Sequence, residues 1–73
     1  MEKEKKGIVT RQGVIVENLP SAIYRVHLED GSRVIAHLSG RMRRNAIRVF
    51  PGNHIKVEFS EHDLTKGRIV YRY

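Results

Sequence analysis

The sequence predicts an all-β domain: five short strands closed into a barrel, with one short helix between the third and fourth. Three observations predict it. Apolar and polar residues alternate with period two along most of the chain, and turn-forming residues punctuate those runs at short intervals. One interval breaks the period, and there apolar residues recur at helical spacing while arginines crowd the opposite side.

The first run, GIVTRQGVIVENL, reads as a long strand interrupted by Gly13. A glycine inside a strand marks a bulge or sharp bend, and a small barrel needs one to turn a corner. Leu19-Pro20-Ser21 ends the run as a turn. In AIYRVHLE, Tyr24, Val26 and Leu28 share one face while Ile23, Arg25 and His27 take the other, the pattern of a half-buried strand. Asp30-Gly31 then signals a hairpin, because glycine accepts a positive φ without steric cost. RVIAHLS turns Val34, Ala36 and Leu38 inward, and HIKVEFS does the same with Ile55, Val57 and Phe59. The ending GRIVYRY is a last strand with Ile69, Tyr71 and Tyr73 opposite Arg68, Val70 and Arg72. Alternation assigns Phe59 and Tyr24 to the core, where the Tyr24 hydroxyl needs a partner. Two roles stand open for Tyr71 and Tyr73: a stacking surface for bases, or closure of the barrel. The alternation favours closure for Tyr71 and leaves Tyr73 undecided.

The interval is residues 40 to 48. Met42, Ala46 and Ile47 fall on one side of a helix, and Arg41, Arg44, Asn45 and Arg48 on the other. A helix of about two turns is expected, with Ser39 as its N-cap. Helices this short rarely persist in water alone, so it must pack on the barrel. Three strands, a short helix and two strands is the order of a five-stranded Greek-key barrel of the oligonucleotide-binding (OB) type. Closure also removes the exposed strand edges that endanger a small β domain. An SH3-like barrel shares the strand count but lacks so basic an inserted helix. Residues 7–73 are therefore expected to form a single domain, preceded by a flexible charged head at residues 1–6.

Charge narrows the function. The 73 residues carry 14 Lys and Arg against 8 Asp and Glu, a net charge of +6. Residues 1 to 30 are balanced, so the whole excess lies from Gly31 onward. There Arg33, Arg41, Arg43, Arg44, Arg48, Lys56, Lys66, Arg68 and Arg72 face only Glu58, Glu61 and Asp63. Solubility requires net charge but not its segregation, whereas a basic excess gathered in one part of a small domain is the footprint of a polyanion binder. With no cysteine there is no disulfide framework, thiolate nucleophile or cysteine metal cage. No apolar run approaches the roughly 20 residues of a membrane span, and the start MEKEKKGIV is charged rather than signal-like, so a soluble intracellular protein is expected. His27, His37, His54 and His62 lack metal-ligand spacing. Glu58, Glu61 and Asp63 cluster without a nucleophile, and Ser39 and Ser60 lack a base. Neither an enzyme, a metal nor a cofactor is expected.

The stretches GVIVENLPSAIYRVHLEDG, AHLSGRMRRNAIRVFPGN and DLTKGRIVYR together resemble the bacterial and plastid translation initiation factor one family, from about Gly13 to Arg72 without an insertion. SGRMRRNAIR and DLTKGRIVYR are the most specific parts. The resemblance implies a non-catalytic OB-fold monomer of the cytoplasm or plastid stroma. Its implied site is the aminoacyl-tRNA site of the small ribosomal subunit, against ribosomal RNA and a neighbouring ribosomal protein. There it would act alongside the GTP-binding initiation factor and the other initiation factors. Carried over by position, the RNA-binding residues are Arg41, Arg43, Arg44 and Arg48 in the basic segment, Lys66, Arg68 and Arg72 near the C-terminus, and His37 and Ser39 leading into the helix. Three positions depart from the family pattern. Ala46 stands where members often carry an aromatic, Asn53 replaces the turn aspartate, and His62 replaces a tyrosine. Read from the residues alone, Arg41, Arg43, Arg44 and Arg48 form one arm of the site and Lys66, Arg68 and Arg72 the other. A second reading is a small protein-interaction barrel whose basic face binds an acidic protein.

Overall fold

Period-two alternation commits one face of each strand to an interior, and the pairing of the strands shows how those faces meet. The computed structural model describes residues 7–73; the charged head, residues 1–6, lies outside them. The elements are β1 (Ile8–Leu19), β2 (Ile23–Leu28), β3 (Arg33–Leu38), α1 (Gly40–Arg44), β4 (His54–Ser60) and β5 (Asp63–Arg72). The strands close into a barrel in the order β1-β2-β3-β5-β4, with β4 returning to β1. Every pairing is antiparallel except β3 with β5, which is parallel. This is the five-stranded OB architecture the strand order predicts.

The inward faces of β2, β3 and β4 fall where alternation puts them. Val26, Leu28, Val34, Ala36, Leu38, Ile55, Val57 and Phe59 are buried, and Tyr24 packs against them, partly buried. Ile15, Val26, Ile55, Val57 and Ile69 are the largest fully enclosed side chains. Burying each contributes about 1.5–3 kcal/mol relative to leaving it in water. The β2–β3 hairpin turns at Asp30-Gly31, where Gly31 has φ +90° and the Asp30 carboxylate accepts from Ser32 N at 2.8 Å.

Gly13 is the point at which β1 passes from one partner to the other. It faces both Leu28 of β2 and Ile55 of β4, and a Cβ there would lie 2.7 Å from the His27 carbonyl oxygen. Register runs unbroken through Gly13 in the ladder with β4, and the ladder with β2 begins there, so the glycine serves a close approach rather than a bulge. The bulge lies farther on, between Ile15 and Glu17.

Two expectations need correction. The helix spans five residues rather than about two turns, and Ala46 is exposed instead of sharing an inward face with Met42 and Ile47. Ala46 adopts φ +53°, which ends the helix. Its N–H donates to Arg43 O at 3.1 Å and the Ile47 N–H to Met42 O at 2.9 Å, the paired bonds of a Schellman stop. The reversal lets Met42 and Ile47 both reach the core from opposite sides of the stop. Tyr71, expected to close the barrel, lies on its outer wall. Lys56 pairs with Tyr71 and Val57 with Ile69, so Val70 is an extra residue in β5, and the phase flips beyond it. Tyr71 and Tyr73 are 53% and 56% exposed.

Candidate nucleic-acid interface

The basic segment is fixed to one end of the barrel by the strand before it. At the end of the parallel ladder Leu38 faces Ile69, and the next residue, Ser39, donates its backbone N–H to Ile69 O at 2.9 Å. The buried Ser39 hydroxyl accepts from Met42 N at 3.2 Å and caps α1, as expected. That hydroxyl is committed to the helix start. Met42 plugs the barrel end at 2% exposure, leaving Arg41, Arg43 and Arg44 outside. All three lie in the last turn, where cations interact favourably with the negative end of the helix dipole.

Beyond α1 the chain is pinned at alternate residues. Ile47 is half-buried and Val49 is buried, and Arg48 between them is exposed. Arg72 Nη1 donates to the Arg48 carbonyl at 2.6 Å, tying the end of β5 to this loop. The following turn is stitched to β1, with Gly52 N donating to Ile15 O at 2.7 Å and Ile15 N to Asn53 O at 3.0 Å. Asn53 Oδ1 accepts from Phe50 N at 2.7 Å, so the amide fills the capping role of the absent aspartate.

The remaining cations lie on the adjoining wall. In the parallel ladder His37 faces Arg68 and Ile35 faces Lys66, and all four side chains are exposed. Arg33 continues the outward face of β3 and pairs with His27. Sequence reasoning counts Arg33 in the charge excess but does not assign it to the site. The signal is present, since Arg33, Ile35 and His37 alternate with the inward Val34, Ala36 and Leu38.

The two expected arms are thus divided differently. Arg72 sits with Arg48 and the helix arginines at the barrel end, while Lys66 and Arg68 join His37 and Arg33 on the wall. Nor are the cations equally available. Arg68 Nη2 lies 2.7 Å from Glu58 Oε1, and Arg43 Nη2 donates to Leu38 O at 3.3 Å. Among the described residues, the side chains of Arg33, Arg41, Arg44, Arg48 and Lys66 make no internal hydrogen bond or ion pair. A guanidinium left open in this way can hold a phosphate through two parallel hydrogen bonds or stack on an exposed base.

Other chemistry is sparse. A shallow groove of about 260 Å³ between β2, β1 and β4 is lined by Gln12, Val14, His27, Glu29 and His54 among others. Among the described residues no group of three or more His, Asp and Glu is placed to hold a metal. No described helix is long and apolar enough to cross a membrane.

A closed five-stranded barrel with a short helix between β3 and β4, and open cations along one end and one wall, is an OB-fold domain with an exposed basic surface. The chain belongs to the translation initiation factor 1A / IF-1 family, whose model matches residues 2–73. It is similar to the solution structure of bacterial translation initiation factor one from the Wolbachia endosymbiont strain TRS of Brugia malayi. That match has 35% identity and a TM-score of 0.79, covering 99% of this chain and 85% of that one. The crystal structure of YjeQ from Thermotoga maritima shares the fold, with a TM-score of 0.71 at 21% identity, over 89% of this chain and 23% of that one.

Proposed function

We propose that this protein is a non-catalytic initiation factor that binds the small ribosomal subunit at its aminoacyl-tRNA site. Its contacts are to ribosomal RNA and a neighbouring ribosomal protein, and it assists initiation complex assembly with the GTP-binding factor and the other initiation factors. It works as a monomer in the cytoplasm, or in the stroma if the host is a plastid. The carrying observation is that Arg41, Arg44 and Arg48, without internal partners among the described residues, are held at one end of a closed barrel by a capped helix and a pinned loop. Folded RNA is recognised largely through shape, backbone and splayed bases, which suits guanidinium groups on a stiff support. Arg41, Arg44 and Arg48 meet phosphate directly. Arg43, Arg68 and Arg72 share themselves between RNA and their internal acceptors. Lys66 and His37 extend the contact along the wall, and Ser39 sets the helix direction.

The test is co-sedimentation with purified small subunits across a salt series, with large subunits as the control. About four to six phosphate contacts give a steep fall of log K with log salt, roughly 0.7–0.9 per contact. A flat dependence refutes the RNA reading. The double variant Arg43→Glu/Arg48→Glu, still folded by circular dichroism, is expected to lose small-subunit binding. Retained ribosome binding with loss of an acidic protein partner would instead favour the protein-interaction barrel.

A further inference from the structure

We propose that Tyr71 and Tyr73 form a stacking platform for one unpaired RNA base on the outer wall of β4–β5, with the adjoining phosphate carried by Lys56. The proposal rests on the RNA reading above and adds a second contact surface to it.

Three observations carry it. The extra residue Val70 reverses the alternation of β5, so two rings that regular pairing would send inward are turned outward together. They meet edge to face, with centroids 4.9 Å apart and an interplanar angle of 72°, and each remains more than half exposed. A polar-tipped aromatic pair left open on a domain this small is a surface that a nucleobase can cover, since every base presents a π-face.

The charges around the pair favour a polyanion over a protein. Lys56 Nζ lies 5.9 Å from the Tyr71 centroid and has no carboxylate partner among the described residues. The nearest acid along β4, Glu58, is already paired with Arg68. Between the two rings in sequence, Arg72 reaches the Arg48 carbonyl. That bond ties the platform's strand to the loop carrying Arg48, so the platform is anchored to the segment that bears the open arginines.

Binding of small subunits is compared for the wild-type chain and for Tyr71→Ala, Tyr73→Ala, Tyr71→Phe and Tyr73→Phe, with each fold checked by thermal melting. The complex is then irradiated in the ultraviolet, where nucleobases absorb, and the C-terminal peptide analysed by mass spectrometry. Each alanine is expected to weaken binding about 5- to 150-fold with an unchanged salt slope, and each phenylalanine to stay within about twofold. The peptide carrying Tyr71 and Tyr73 is expected to bear a cross-linked nucleotide. Alanine variants that bind like the wild type overturn the platform, as does a loss without a nucleotide on that peptide, the result a protein contact would give. Failure of the wild-type chain to bind small subunits removes the ribosomal reading itself, an outcome distinct from binding that ignores the tyrosines.

Discussion

Replacing Gly67 by alanine sets backbone propensity against packing at one residue. Gly67 lies inside β5, facing Ala36 of β3 across the parallel ladder. It has no left-handed φ to protect, so propensity alone favours alanine by about 0.5–1 kcal/mol. Packing opposes this. A Cβ at Gly67 would overlap Val57 Cγ1 and stand 2.7 Å from Phe59 Cε1. Both neighbours are nearly fully buried and neither can swing into solvent. Relieving such an overlap in a filled core costs about 1–3 kcal/mol, which exceeds the propensity gain over most of that range. The net expectation is a loss of up to about 2.5 kcal/mol. For a domain of this length each kcal/mol moves the melting temperature by about 4–8 °C, so thermal and urea denaturation resolve the effect easily. Combining Gly67→Ala with Val57→Ala removes the colliding methyl groups, and the double variant should be more stable than the sum of the single losses predicts, by at least about 0.5 kcal/mol. A Gly67→Ala protein more stable than the wild type would show that the interior is not filled at this point.

Three further outcomes follow from the structure. Ala46→Gly removes an exposed methyl from a residue at φ +53°, so a gain of roughly 0.5–1 kcal/mol is expected by chemical denaturation, after allowing for the looser unfolded chain. Glu58→Gln releases Arg68 from its 2.7 Å ion pair and is expected to tighten small-subunit binding while steepening the salt slope by about 0.7–0.9. Asp30 and Asp63 both titrate below the ordinary carboxylate range, Asp30 first through its bond from the Ser32 backbone and Asp63 first through the Thr65 hydroxyl. A lowered folded-state pKa stabilises above the unfolded value and is lost as pH falls through the folded one. Asp30→Asn and Asp63→Asn should therefore flatten the acid limb of the stability profile below about pH 4 and leave its shape unchanged at neutral pH.

Most of the barrel can be read from the sequence because alternation is an accurate guide wherever a strand keeps its register. Val26, Val34, Ala36, Ile55 and Val57 have no other face to choose. Tyr71 misleads for the complementary reason: the phase of a strand is lost at a bulge, and Val70 resembles any other β-branched strand residue. The helix is overextended by a sequence reading because Met42, Ala46 and Ile47 fit a helical template, while a left-handed alanine carries none of the usual glycine signal. Among the site residues, the arginines are visible as a cluster and through the family resemblance. What cannot be read is which of them are already occupied. Glu58 lies ten residues from Arg68 and Arg48 lies twenty-four from Arg72, and only the folded ladders bring those partners together.

The single parallel pairing in the barrel has a consequence for how the protein is made. β5 supplies the missing neighbour to both β3 and β4, and it is synthesised after both of them. Until it emerges, β1 through β4 can form only an open sheet with two raw edges, and the seam cannot be sealed. Closure therefore waits for translation to reach β5, which folds back on β4 through the tight turn between Ser60 and Asp63 and then meets β3, although the most distant pairing in the chain is that of β1 with β4. A stop codon inside β5 would not trim a tail from a finished domain. It would leave the domain permanently unzipped.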